Sequence, residues 1–495
     1  MGDRINKPSW ISCLAGRFMR NFSDNASPEP RARVGGLFAS HPGTTAFLVA
    51  FLVFLATALV QGDKFFYYDA GVYWYLSGTF MDGGHFSFLN FENNGLRGYA
   101  LPLVYYLFRK PTELFTVDPY LTMMIFNAGL FALIGGVLAP KLASVSWPET
   151  AWGVPRRLLL CALILVFWAG YLSYPLSDFP SLAAALLAIV AVSASNSPLS
   201  MLAGGVAAGV ALNMRPAYIL LIPLLLAAVA WEWEWYRRRG IDRVSSWRRA
   251  LCLVLFLLGA LLTCLPQSLS QHQQFGSYSP IPGGSDLAGI QYTGGLEIQL
   301  YGTYVGNGLD TPRMEYRDPA GEEILAELPG ETVSGTGEYA KVMLEHPLVM
   351  SGVFLRHLVN GLDQRYNTPL VEDLEYAGQD LLRFGGFLLF FLALLRIAWP
   401  RARRGLGLAN WRYPGILALA CATSLPSGIE ARFLLPVFVL SCLLVLAPGW
   451  PSPVGPAREG AQRYALPVLI LLWAVAYFAL VWVIVSGASE NLRIV

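Results

Sequence analysis

The chain has 495 residues, of which 55% are hydrophobic and only 14% charged, and its mean hydropathy is positive. A water-soluble domain cannot hide that much apolar side chain, so lipid must solvate a large part of the surface. The net charge of +2 gives no polyanion-binding signal, which sets nucleic acid aside as a partner and leaves the placement of charge along the chain as the informative quantity.

Residues 1–43 are polar and basic, and no short apolar stretch leads to a small-residue cleavage site, so the spacing predicts a cytoplasmic segment rather than a signal peptide. Backbone amides in hydrocarbon must be bonded within their own segment, so each apolar run of roughly 17 to 25 residues reads as one crossing helix. Such runs fall near 44–62, 119–139, 157–173, 179–195, 198–214, 216–233, 249–267, 382–399, 413–427, 431–448 and 464–486. The fold class expected is an all-α polytopic membrane protein of about eleven crossing helices, with two large extracytoplasmic loops that carry interfacial helices. The predicted organisation is a membrane module over 44–267 containing an outer loop at 63–118, a second outer segment at 268–381, and a last group of membrane helices over 382–495.

Lysine and arginine favour short cytoplasmic loops. Arg17, Arg20, Arg31 and Arg33 precede the first run, and Arg156 and Arg157 precede the third. Arg237, Arg238, Arg239, Arg243, Arg248 and Arg249 separate the sixth from the seventh; Arg401, Arg403, Arg404 and Arg412 follow the eighth; Arg458 and Arg463 precede the last. One orientation satisfies all of them: amino terminus inside, 63–118 beginning and ending outside, and the semi-apolar stretch 98–108 lying along the interface or re-entering. This places the chain as a multi-pass protein of the inner or plasma membrane with its working surface outside. In the second outer segment, 346–363 has apolar residues at helical spacing and is expected to lie on the membrane surface.

The first outer loop opens FFYYDAGVYWYLSGTF. Asp69 there is a helix cap on one reading, and on the other a general base just outside the membrane, walled by Tyr67, Tyr68, Tyr73 and Trp74. In NFENNGLRGYALPLVYYLF, Glu92, Asn93, Asn94, Arg97 and Tyr99 cluster, and Arg97 is either an interfacial anchor or a donor to an anionic substrate. The turn YPLSDFPS places Asp178 between two runs, as a cap or as a second carboxylate on the side of Asp69. Arg215 in NMRPAY and Arg432 in PSGIEARFLLP oppose the positive-inside trend at outer helix ends, where each could meet a phosphate; Glu430 is the local partner that Arg432 would otherwise have. His272, His346 and His357 are acids or ligands on one reading and packing groups on the other. The six cysteines mostly sit in apolar runs, with no metal spacing. Nucleotide-loop, zinc-protease, nucleophile-elbow and dinucleotide fingerprints are missing from the sequence, as are mid-span acidic pairs of ion-coupled carriers.

Taken together, YYDAGVYWYL, RGYALPLVYYL, SDFP, the glycine-rich GGVAAGVALNMRPAYILLIPLLL and the late E-x-R-F-L-L-P segment resemble the GT-C superfamily of membrane glycosyltransferases. The resemblance implies an inverting transfer of a sugar from a polyprenyl-phosphate carrier to an extracytoplasmic glycan, lipid or protein acceptor. It makes Asp69 the base that deprotonates the acceptor and Asp178 a second acidic residue organising the site. It also makes Arg215 and Arg432 holders of the carrier phosphate, with Arg97, Tyr99, Glu92, Glu430 and Tyr73 as further substrate contacts. Ala70 follows Asp69 where a second carboxylate would build a metal site, so a divalent cation stays an open requirement. Two alternatives fit the same layout: an outer-leaflet glycan polymerase or ligase using a polyprenyl-diphosphate donor, and a lipid or sugar flippase, which would need a polar path through the bilayer. The late outer segment from 271 to 358, rich in Gly, Tyr and Gln, reads as an acceptor-side cover or as a plain loop.

Overall fold

The structure is a computed structural model that describes residues 41–62, 65–92, 95–148, 150–194, 197–238, 245–282, 284–305, 313–375, 377–398, 411–448 and 462–494. The basic stretches 1–40, 239–244, 399–410 and 449–461, on which the orientation argument leaned, lie outside the described residues. Helices α1 (Pro42–Gln61), α2 (Tyr68–Leu76), α3 (Ala100–Phe115), α4 (Pro119–Leu133), α5 (Ala139–Ser146), α6 (Val154–Trp168), α7 (Asp178–Ala194), α8 (Pro198–Met214), α9 (Leu221–Arg238) and α10 (Ser246–Phe275) make the first half. The second half holds α11 (Gly284–Glu297), α12 (Pro319–Ala326), α13 (Thr336–Glu345), α14 (Pro347–Gly361), α15 (Gln379–Ala398), α16 (Arg412–Ala422), α17 (Leu435–Leu446) and α18 (Gln462–Glu490). Among the described residues, seven helical segments are long and apolar enough to cross a membrane, and three shorter apolar ones accompany them. The run expected at 413–427 is the 11-residue α16, too short to cross as a regular helix.

Why the helices sit so close is written in their glycines. A Cβ at Gly205 would stand 1.9 Å from the Phe256 carbonyl oxygen, and one at Gly209 would stand 1.9 Å from the Thr263 hydroxyl. From the other side, a Cβ at Gly259 would meet the Leu202 carbonyl at 2.4 Å. The small faces of α8 and α10 therefore bring backbone against backbone, the packing that replaces a hydrophobic driving force in lipid. Between α4 and α5 the helix widens into a π-turn at Ile134–Leu138. Buried Arg157 donates to the Gly136 carbonyl there at 2.7 Å and to Trp152 at 2.7 Å, so its charge is spent on the backbone that the irregular turn exposes.

The chain is mostly helical, in keeping with the all-α membrane expectation, and the segment after α10 adds a little sheet. Strands β3 (Ile298–Tyr304), β4 (Arg313–Arg317), β5 (Leu370–Val371) and β6 (Leu492–Ile494) form a sheet in the order β5-β3-β4-β6, while β1 (Met81–Asp82) and β2 (His85–Phe86) form a small hairpin in the first loop. Pairing is antiparallel for β3 with β4 and β4 with β6, and parallel for β3 with β5. Period-two alternation sends Leu300, Met314 and Tyr316 into a core shared with Val359 of α14 and Ile484 of α18. It leaves Tyr301, Thr303 and Arg313 facing the other way. The expected surface helix at 346–363 is α14, packed on this sheet rather than standing free.

Asn213 at the carboxy-terminal end of α8 and Gln267 in α10 clasp the residues that lead into α3. Asn213 accepts from the Ala100 amide at 2.8 Å and donates to Gln267 at 3.1 Å, Gln267 accepts from the Tyr99 amide at 3.1 Å, and the Tyr99 hydroxyl donates to the Thr263 carbonyl at 2.8 Å. Gly98 is required beside them, because a Cβ would fall 1.9 Å from the Asn213 carbonyl oxygen. All these groups are desolvated, so each lost partner leaves an orphan. Asn213→Ala should lower the unfolding free energy in detergent by about 2 kcal/mol or more, and Tyr99→Phe, which deletes one bond only, by about 1 kcal/mol. Chemical-denaturant unfolding checks the pair, and equal losses would contradict the clasp.

Candidate functional site

Where the segments after α1 and after α10 meet the apolar helices, a cavity of about 320 Å³ opens. Its lining includes Tyr67, Tyr68, Asp69 and Arg97 from the first loop, Tyr174 and Leu176 from the second turn, Tyr301, Thr303 and Arg313 from the sheet, and Glu430 and Arg432 before α17. Asp69 stands in the first turn of α2, where the helix dipole favours a carboxylate. The preceding Tyr68 has φ +43°, a left-handed conformation that costs a bulky residue about 1 kcal/mol or more and aims the helix start at the cavity.

Charge is densest along the inner wall. Arg97 donates through Nη2 to Asp69 Oδ1. Arg432 reaches Asp69 Oδ2 at 3.3 Å through Nη2, donates from the same nitrogen to Glu430 Oε1 at 2.8 Å, and sets Nε 2.7 Å from Glu430 Oε2. Its Nη1 lies 3.7 Å from Asp178 Oδ2. Arg215 donates to Asp178 Oδ1 and lies over the Phe433 ring, 4.6 Å from its centroid. The Asp178 side chain is only 1% exposed, and its Oδ2 has no hydrogen-bond partner among the described residues, so one buried carboxylate oxygen is left for an incoming donor. Asp69 keeps about a third of its side-chain surface, which faces the cavity it lines.

Asp69, Asp178, Arg97, Arg215, Glu430 and Arg432 thus come together, although Asp69 and Arg432 are 363 positions apart. Tyr73 is buried behind them with its ring 5.7 Å from the Arg97 guanidinium carbon. Two expected contacts stand elsewhere. Glu92 accepts from the Tyr75 hydroxyl at 2.7 Å on the loop surface, and Tyr99 belongs to the Asn213 and Gln267 clasp; neither lines the cavity. Asn93 and Asn94, which cluster with Glu92 in the sequence, lie outside the described residues. The histidines also stand apart: His272 stacks on Tyr278, His346 lies 3.6 Å from Glu327, and buried His357 contacts the Leu425 carbonyl at 2.5 Å. Tyr301, Thr303, Arg313 and Tyr174 were missed. Tyr301 and Thr303 fall in the segment read as an acceptor-side cover, and the alternation in IQLYGTY marks their strand without saying what it faces.

A divalent cation does not suit this wall. Among the described residues no three His, Cys, Asp or Glu side chains are grouped to hold a metal ion, and each carboxylate at the cavity already faces a guanidinium. Neither a family model nor a curated protein sequence matches the chain.

Shared arginines pull the carboxyls in opposite directions. Burial pushes the Asp69 carboxyl up, but Arg97 and Arg432 outweigh it and hold it below its ordinary value of 3.8. For Glu430 burial prevails over Arg432, and repulsion from Asp69 and Asp178 adds to it, so the group is raised above its ordinary 4.5. On acidification Glu430 therefore takes its proton first, above pH 4.5, and Asp69 follows below pH 3.8. By linkage, the stability from Glu430 protonation is lost as pH rises through the window above 4.5, while that from ionised Asp69 is present above 3.8 and lost as pH falls below it. An infrared titration should lose its higher-pH carboxyl band in Glu430→Gln and its lower-pH band in Asp69→Asn; the opposite assignment would contradict this charge layout.

Proposed function

We propose that the protein is an inverting glycosyltransferase of the GT-C type, which moves a sugar from a polyprenyl-phosphate carrier to a glycan, lipid or protein acceptor outside the cytoplasm. The observation that carries the reading is the joint placement of Asp69 and Arg432 on one small cavity at the ends of apolar helices, with Asp178 and Arg215 directly behind. Such a site suits a ligand that is part lipid and part polar. Its volume lies at the lower end of the range for small-molecule sites.

The proposed topology has about eleven crossings with the amino terminus inside and the cavity outside, the one at 413–427 being completed by the non-helical residues that follow the short α16. Support comes from the helix ends. Asp69 follows α1, Asp178 starts α7, Arg215 follows α8, Arg432 precedes α17, and α18 runs directly into β6 beside the cavity sheet. Successive apolar helices thus alternate in direction toward one common side, as a chain threading a bilayer must.

In the reaction, an acceptor hydroxyl approaches the anomeric carbon from the face opposite the phosphate. Its proton passes to Asp69 Oδ, the new carbon–oxygen bond forms, and the bond to the phosphate oxygen breaks with its electron pair leaving on phosphate. Arg432 and Arg215 at the helix ends are placed to balance the charge that develops on the leaving group. Without a donor, Asp69 is occupied by Arg97 and Arg432 and is a weak base. A phosphate that draws those guanidiniums toward itself would release the carboxylate, so donor binding arms the base before the acceptor is attacked. Around the site four guanidiniums face three carboxylates, a single surplus positive charge that favours a one-phosphate donor over a diphosphate.

The test is a transfer assay on purified protein with a panel of polyprenyl-phosphate sugars. Asp69→Asn should lower turnover by about 10²-fold to 10⁴-fold while donor binding persists, and Arg432→Gln should weaken both. Unimpaired turnover in Asp69→Asn removes the proposed base.

A further inference from the structure

The wall of the cavity opposite the buried charges is a two-stranded surface that the proposed transfer leaves unassigned. Register places Thr303 of β3 directly across from Arg313 of β4, and Tyr301 two residues earlier points to the same face. All three line the cavity. Arg313 differs from every other arginine there: it is exposed, and among the described residues it makes no ion pair. Arg97, Arg215 and Arg432 are each held by a carboxylate, so an incoming anion must compete with Asp69, Asp178 or Glu430 to reach them. Arg313 can be engaged with no such competition. It also sits on the sheet, whereas Arg215 and Arg432 stand at the ends of apolar helices where a lipid-borne phosphate would lie.

We propose that Tyr301, Thr303 and Arg313 form a subsite for an anionic sugar of the acceptor, so that the protein selects acceptors carrying an acidic group close to the hydroxyl that is glycosylated. This rests on the reading of the cavity as a sugar-transfer site. A guanidinium pairs with a carboxylate or phosphate, the Tyr301 ring offers an apolar face and a hydroxyl to a saccharide, and the Thr303 hydroxyl serves as donor or acceptor. The backbone behind them is fixed, since the Tyr301 amide donates to the Ile429 carbonyl at 2.8 Å, next to Glu430. An anion on Arg313 is thereby held at a set distance from Arg432 and Asp69, which is what orienting an acceptor hydroxyl requires.

The experiment uses the full chain in detergent and ligand-observed magnetic resonance, with glucuronate, glucose 6-phosphate and glucose as probes and a short prenyl phosphate as a separate arm. Wild type should bind at least one acidic sugar about tenfold more tightly than glucose, and the tighter of the two names the anion. Arg313→Gln should abolish that preference, Arg313→Lys should restore part of it, and prenyl phosphate binding should change by less than about twofold in either. The proposal is overturned if acidic sugars bind no better than glucose, if Arg313→Gln leaves their binding unchanged, or if it weakens prenyl phosphate to the same extent. Should wild type fail to bind prenyl phosphate at all, the lipid-phosphate reading falls, while the acidic-sugar arm still decides the role of Arg313.

Discussion

Arg432 is the group on which the rest of the site depends. It touches Glu430, Asp69 and Asp178, and its side chain is only 13% exposed. Three carboxylates crowded into a space with little water repel one another and lose hydration, and without a cation among them the chain would not close around them. Such a network is a poor source of net stability, because desolvation consumes most of the attraction. Yet losing one member strands the others at about 3 to 5 kcal/mol. Its value lies in specifying one arrangement: loop, turn and helix end must arrive together or not at all.

Everything around Arg432 serves to bring those pieces to one place. Glycines on α8 and α10 let two helices touch along their backbones, which sets Asn213 and Gln267 at the height where they can hold Tyr99 and Ala100. That clasp fixes the strand of chain that carries Arg97. Asn127 similarly donates to the Leu172 and Tyr174 carbonyls, shaping the turn that leads to Asp178. On the far side, β3 is bonded to Ile429, so the sheet and the segment bearing Glu430 and Arg432 move as one. The cavity is therefore bounded by two assemblies, one built on the early helices and one on the sheet with α14 and α17; Phe438 of α17 packs on Phe167 and Trp168 of α6 in a shared apolar core, and ion pairs join the two at the cavity itself.

An ion-pair seam at the cavity suits the charged ligand proposed for it. The apolar contacts lie deeper, and at the cavity the salt bridges to Asp69 and Asp178 are of a kind that the proposed phosphate could exchange at little net cost, since both are charge-assisted hydrogen bonds of similar strength. The lowered carboxyl of Asp69 and the raised one of Glu430 express the same arrangement: the first sits between two guanidiniums, the second is buried beside one.

Most of the fold was legible in the sequence because lipid imposes a simple rule. Each apolar run had to be a helix, and the runs read at 198–214 and 119–139 correspond to helical segments in those places. Asp69, Asp178, Arg215, Glu430 and Arg432 were also readable one at a time, since a charge at the outer end of an apolar run is costly and calls for a reason. Sequence could not say that these residues share one another. Their mutual contacts span hundreds of positions, and local patterns carry no information about which helix ends adjoin. Nor could it separate Tyr99 and Glu92 from Arg97, because six or seven residues of a turning loop look alike until packing sends Tyr99 toward Gln267 and Arg97 toward Asp69. The sheet was missed for the same reason: β5 and β6 are two and three residues long, and only their tertiary partners β3 and β4 make them strands. Composition and periodicity thus determined what the chain is dissolved in and where its helices run, while the cavity arose only when distant charges were packed out of water together.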